Sequence, residues 1–193
     1  MLGRKITVLG ITLLIALILN GCTDTITDNV SQKQIKAIEN PDLSLTKVKV
    51  RTDGMLSDVG YRHPHPFSVQ NEVLVDLQYY EQHEISRGDI VVFKTKDKTD
   101  QEQNTDIARI VGLPNESVSI NKGQVYIDNK KLDAFYGDDS TFNNNDSWDA
   151  VALKEYEYYL LADVRWRGFN DSQTAGAFLK DELLGKVVGY QNW

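Results

Sequence analysis

The sequence predicts an all-β domain, a mainly antiparallel β barrel or folded ribbon with one or two short helices. Three observations predict it: short β-branched or aromatic runs recur, turn sequences separate them every ten residues or so, and one pair of runs forms an unmistakable hairpin. The elements follow in order from Lys47. Val48 and Val50 alternate with Lys47, Lys49 and Arg51, the two-residue period of a half-buried strand. Val73 to Leu77 is a short apolar run interrupted by Asp76. Arg87-Gly88-Asp89 turns the chain into the β-branched run Ile90 to Phe93, and Ile110-Val111 leads into the turn Gly112-Leu113-Pro114-Asn115. Val118 and Ile120 alternate, Asn121-Lys122-Gly123 reverses the chain, and Val125 and Ile127 alternate again, which is the hairpin. Tyr156 to Leu161 is an aromatic-rich strand. Ala177 to Leu184 has the apolar spacing of two helical turns, with Gly185 placed to stop it. No internal repeat is visible.

Composition narrows the functional classes. The 193 residues are 41% hydrophobic and 25% charged, ordinary values for a globular protein, which exclude a disordered, collagen-like or multispanning chain. One domain is expected, large enough to bury roughly 70% of its unfolded surface. A formal charge of −7 with no basic stripe argues against nucleic acid. Residues 1–21 read as a signal peptide, 22–46 as a polar tether, and 47–193 as the β domain, with polar inserts near 94–106 and 137–149. Arg4 and Lys5 precede an uncharged run from Ile6 to Leu19. That run is short of the ~20 residues of a permanent span and fits the apolar region of a secretory signal. It ends Leu19-Asn20-Gly21-Cys22, which resembles the bacterial lipobox and implies lipidation at Cys22; the alternative is an uncleaved N-terminal signal anchor. Either way the body is expected at the extracytoplasmic face of the cell membrane, held through its N-terminus. The tether, Thr23 to Leu45, is polar and without period, with at most a short helix near Gln34 to Asn40.

Spacing alone yields little chemistry. One cysteine makes neither an internal disulfide nor a thiolate metal site. His63-Pro64-His65 is a surface turn with no third ligand at metal spacing, and His83 stands apart. The acidic insert lacks the Gly-centred ligand order of a calcium loop. No metal and no cofactor are expected. Arg87-Gly88-Asp89 is explained as a strand-entry turn without an adhesion partner, and no Gly-x-Ser-x-Gly elbow is present.

The order of segments carries more. Asp53-Gly54-Met55 follows a Val-rich strand; then come Arg87-Gly88-Asp89-Ile90-Val91-Val92-Phe93, Ala108-Arg109-Ile110-Val111-Gly112-Leu113-Pro114, and Leu161-Ala162-Asp163-Val164-Arg165 with Asn170-Asp171-Ser172. From about Val48 to Tyr190 this resembles the type I signal peptidases, serine proteases of the Ser/Lys class. The resemblance implies that Met55 follows the nucleophile position and that Arg109 and Asp163 form a structural ion pair. By the same resemblance Arg87, Gly88, Asp89, Gly112, Pro114 and Arg165 belong to the frame. It also implies a nucleophilic Ser, a neutral buried Lys as base and a second, orienting Ser. The matching positions here are Gly54, Ala108 and Gly168, which offer neither hydroxyl nor amine. Loss of the nucleophile costs on the order of 10⁶ in turnover in the serine protease subtilisin.

Ser57 is the candidate substitute nucleophile, and Lys94 and Lys96 are the nearest amines after the second block. Rescue requires the two groups within about 3 Å of each other. Without such a pair the expected function is binding: an extended segment of an exported or surface protein, a signal peptide, or a true peptidase, held by strand addition. The alternative is an active serine endopeptidase cleaving signal peptides through Ser57.

Overall fold

The computed structural model describes residues 24–96, 104–138 and 146–191. The signal segment, Cys22, and the middles of both polar inserts lie outside the described residues. In chain order the strands are β1 (Thr25–Thr27), β2 (Lys36–Ala37), β3 (Thr46–Lys49), β4 (Glu72–Asp76), β5 (Ile90–Lys94), β6 (Thr105–Gly112) and β7 (Ser117–Asn121). They continue as β8 (Gln124–Ile127), β9 (Lys130–Asp133), β10 (Trp148–Ala152), β11 (Glu157–Leu161), β12 (Phe178–Leu179) and β13 (Leu183–Tyr190). Two short α-helices, α1 (Tyr79–Gln82) and α2 (Ser172–Ala175), complete the set. The predicted fold class is the observed one.

The smaller sheet runs β1-β9-β8-β7-β10 and the larger β12-β11-β6-β5-β13-β4-β3, with β2 added to β13. All pairings are antiparallel except β1 with β9 and β2 with β13. The predicted hairpin forms as β7 and β8, Val118 opposite Ile127 and Ile120 opposite Val125. Lys122 and Gly123 both have positive φ (51° and 82°), the requirement of a tight two-residue reversal that matches strand twist. Alternate residues of β6 face different cores: Ala108 and Ile110 join Val91, Phe93, Tyr158, Leu160 and Phe178, while Ile107 joins Met55, Phe67, Val73 and Val92.

Two expectations fail. Residues 24–46 are not a free tether: β1 and β2 add to the two sheets, and the helix expected near Gln34 to Asn40 is replaced by β2. Strand addition needs main-chain groups only, so a polar segment without period accomplishes it. Ala177 to Leu184 is not helical. It contains β12, a 3₁₀ turn over Lys180–Glu182 and the start of β13, whose burial alternates residue by residue. Gly185 stops no helix; a Cβ there would lie 2.6 Å from the Asp76 carbonyl oxygen, so it permits β13 to approach β4. The insert near 94–106 joins the two arms of the β5–β6 hairpin, whose ends Lys94 and Thr105 pair, in keeping with the tip of a hairpin. Trp148 and Asp149 belong to β10 rather than to the second insert.

Candidate active-site region

Arg109 holds the frame together. Its side chain is 1% exposed and forks onto Asp163, with Nε 2.8 Å from Oδ1 and Nη2 2.6 Å from Oδ2. Nη1 donates to the Gly88 carbonyl at 2.8 Å, and the guanidinium lies over the rings of Phe135 and Tyr136. Burial pulls the guanidinium pKa down, but the Asp163 charge and its hydrogen bonds more than reverse this, so the net direction for Arg109 is upward. The Arg87-Gly88-Asp89 turn is pinned on both sides. Arg87 forks onto Glu116, and Asp89 takes the Lys186 ammonium at 2.6 Å and the Tyr80 hydroxyl at 3.0 Å. Arg165 is buried and donates to the carbonyls of Ala162 and Tyr136. Met55 is 2% exposed in the core beside Phe67. Gly112 is not itself the turn. It ends β6, where a Cβ would collide with Val118 and Tyr159, and Pro114 lies in the following reversal, closed by the Glu116 amide on the Leu113 carbonyl.

Gly54 and Gly168 both face Ala162. A Cβ on Gly54 would lie 3.2 Å from the Ala162 Cβ and 3.2 Å from the Arg167 carbonyl; one on Gly168 would lie 3.1 Å from the same Ala162 Cβ. The Gly54 carbonyl accepts the Val164 amide at 2.8 Å, and Arg167 pairs with Asp53 at 2.8 Å. At Gly168 there is no room for a side chain, since Asp171 Oδ2 stands 2.1 Å from its hypothetical Cβ. Ala108 is 1% exposed in the aromatic core.

A hydroxyl, an amide and two buried carboxylates occupy the surroundings. Asp106, two residues before Ala108 on the same face of β6, accepts the Thr52 hydroxyl at 2.7 Å and the Asn170 amide at 2.9 Å. It thereby ties the Gly54 loop, β6 and the Gly168 loop together. Burial raises its pKa, against the hydrogen bonds from Asn170, Thr52 and the Ile107 amide. Asp171 caps α2 through the Gln173 amide and accepts the Ala162 amide, both at 2.9 Å. Burial pushes it up to about 7; the Ala162 and Gln173 amides and Arg165 oppose this, and Asp106 reinforces it.

These shifts give a pH dependence with a definite sign. A carboxyl whose pKa is higher folded than unfolded binds protons more tightly in the native state. The stability from Asp171 is therefore fully present below its unfolded pKa near 4 and is lost as pH rises toward 7, by about 1.4 kcal/mol per unit. Denaturant unfolding from pH 4.5 to 7.5 should show Asp171→Asn with a shallower decline than the parent. Parallel profiles would contradict the assignment.

The comparisons with known proteins fit this frame. The model of the family described as signal peptidase, peptidase S26, matches residues 64–191. The chain belongs to the signal peptidase S26 family. The match begins beyond Gly54, so membership rests on the later blocks. A probable signal peptidase I-2 of Synechocystis sp. is 27% identical over 178 residues, covering 86% of this chain and 80% of that protein. Signal peptidase I S of Bacillus subtilis is 29% identical over 117 residues, 55% and 60% of the two chains. A crystal structure of a signal peptidase I from Enterococcus faecalis aligns at 21% identity with a TM-score of 0.44, over 54% of this chain and 97% of that one.

Within this signal peptidase frame, among the described residues, no hydrogen bond joins the Ser57 hydroxyl to an amine. It lines a small cavity of about 50 Å³ with Val59, Phe135, Tyr136, Asp138, Asp163 and Arg165. Lys96 instead donates to the carbonyls of Ala175 and Ala177 and lies 4.5 Å from the Phe178 ring centroid. Lys94 is exposed at the end of β5. Among the described residues no group of three or more His, Cys, Asp or Glu side chains could hold a metal ion. His65 packs edge-on against Tyr61 and bonds the Ser57 carbonyl at 3.1 Å. Sequence reasoning missed Asp106 and Asp171. The available signal was parity: Asp106, Ala108 and Ile110 alternate on a single strand face, which makes Asp106 an inward acid.

Proposed function

We propose that this chain is a membrane-associated, extracytoplasmic member of the signal peptidase family that holds an extended segment of an exported or surface protein, or of an active peptidase, without cleaving it. One observation carries the reading. Where the family resemblance calls for a hydroxyl, an amine and an orienting hydroxyl, there stand Gly54, Ala108 and Gly168, and the space beside them is taken by Ala162, the Asp171 carboxyl and an aromatic core. Glycine and alanine supply neither the hydroxyl that attacks a carbonyl nor the amine that takes its proton. Similarity to proteins named signal peptidase I supports the ligand class, a polypeptide in extended form. The N-terminal signal, with lipidation of Cys22 or retention as an anchor, belongs to the same reading. The Arg109–Asp163 pair holds the shape of the frame without needing a catalytic pair.

The deciding experiment incubates the full chain, in detergent, with a labelled signal-peptide substrate. Binding without a cleavage product is the expected outcome. Cleavage that disappears on Ser57→Ala would establish the opposite reading, a displaced serine nucleophile.

A further inference from the structure

Residues 24–38 form a span that crosses from one sheet to the other, and none of them is buried. At one end β1 adds in parallel to β9, with Ile26 opposite Leu132; at the other β2 adds in parallel to β13, with Lys36 opposite Gly189. Asp28 and Ser31 clamp the middle. The Asp28 carboxylate accepts the amides of Val30 (3.1 Å) and Ser31 (3.0 Å), the Ser31 hydroxyl (2.5 Å) and the Tyr136 hydroxyl. Ser31 Oγ also lies 3.2 Å from the Arg87 carbonyl oxygen. Farther on, the Ile35 amide donates to the Tyr61 hydroxyl at 2.5 Å and the Gln34 side-chain amide to the Val59 carbonyl at 2.8 Å. Ile26 packs on one core and Ile35 on another. Beneath the span is a cavity of about 460 Å³, bordered by Ile90, Arg109, Lys186 and Val187.

The body is shaped to receive this span closely. Gly88 has a φ of +87°, and a Cβ there would lie 1.7 Å from Ser31 Oγ. Any side chain at 88 would push the span away. The span is nevertheless an edge attachment: three residues pair at one end and two at the other, and none is buried, the features of segments that open locally below the global unfolding energy.

We propose that residues 24–38 are a ligand in cis, occupying the seat where this protein holds an extended segment of its partner. The partner segment competes with the span for β9, the Tyr136 and Arg87 clamp and the edge of β13. It carries the same chemistry: an apolar residue, an Asp two positions on, a hydroxyl three residues after that, and a second apolar residue nine after the first. This rests on the proposed grip on extended polypeptide and adds where and by what pattern the grip works. Most of the affinity comes from main-chain pairing, and the clamp and two apolar seats give selectivity.

The test uses the full chain and a fluorescent peptide with the sequence of residues 24–38. Asp28→Ala with Ser31→Ala loosens the span and is expected to bind the peptide at least tenfold more tightly than the parent, with faster hydrogen exchange at the amides of 25–37. A disulfide between Thr25→Cys and Lys131→Cys, which face each other in register, is expected to lower peptide binding at least tenfold below the parent. No peptide binding by the loosened chain, unchanged exchange in it, or equal binding of a shuffled peptide would each overturn the proposal. A parallel cleavage assay keeps the two readings apart. Cleavage defeats the non-cleaving reading without touching the seat, and failure to bind this peptide without cleavage defeats only the seat.

Discussion

A chain carrying Gly54→Ser and Ala108→Lys is expected to cleave a signal-peptide substrate about 10²–10³ times faster than the parent, within the range supplied by a positioned acid–base group. The serine Cβ introduced at position 54 would contact Ala162 and the Arg167 carbonyl at 3.2 Å, tight enough to need a shift of a few tenths of an ångström. The lysine stem introduced at position 108 would enter the core of Phe93, Ile110, Tyr158 and Phe178. Burial there disfavours the ammonium and lowers its pKa by up to ~3–5 units, which leaves a neutral base near physiological pH. Overpacking costs about 1–3 kcal/mol, so a folding control by circular dichroism is part of the experiment. The gain should grow with pH as the new lysine loses its proton. Adding Gly168→Ser is expected to contribute nothing until Asp171 is shortened to alanine, because Asp171 Oδ2 stands 2.1 Å from where the new Cβ must go. A folded double variant with no turnover at any pH would show that Gly54 and Ala108 do not match the family's nucleophile and base positions.

Arg109→Leu is expected to cost about 3–5 kcal/mol, a large part of the roughly 5–15 kcal/mol that holds a domain of this kind together. The substitution strands the Asp163 carboxylate, whose side chain is only 6% exposed, with no countercharge, and it removes the donor to the Gly88 carbonyl. The denaturant midpoint should fall sharply. Replacing Asp163 by leucine as well should recover most of the loss, since removing one partner of a buried pair strands a charge and removing both does not. If the double variant is no more stable than Arg109→Leu alone, the damage comes from the Gly88 contact and the Phe135 stack rather than from the stranded charge.

The parts of the fold legible in the sequence are those where one face is buried and the period is two. Val118, Ile120, Val125 and Ile127 are each at most 3% exposed while their neighbours are not, so hydrophobicity, register and turn agreed. Thr25–Thr27 and Lys36–Ala37 carried no such signal, because their pairing is made by main-chain groups that every residue possesses. Phe178, Leu179, Leu183 and Leu184 suit helix and strand equally in a short window. The burial of Phe178 against the 47% exposure of Leu179 reveals the strand only once the neighbours are in place. At the candidate site, Gly54, Ala108 and Gly168 were singled out only because a family pattern pointed at them. Asp106 was hidden at the end of a charged run whose other members gave no hint that it turns inward. Its partners Thr52 and Asn170 lie 54 and 64 residues away, beyond the reach of any local spacing. Asp171 was visible only as part of a block, and its burial comes from the fold of the loop back onto the end of β11 at Ala162.

The position of β13 has a consequence for how the molecule is made. It lies between β5 and β4 in the middle of the larger sheet, yet it follows every other described strand along the chain. A ribosome therefore releases both flanks of that sheet before the piece that joins them exists, and until it arrives β4 and β5 each present an unpaired edge. Closure of the larger sheet is therefore a late, long-range event, and the joining strand acts as its keystone.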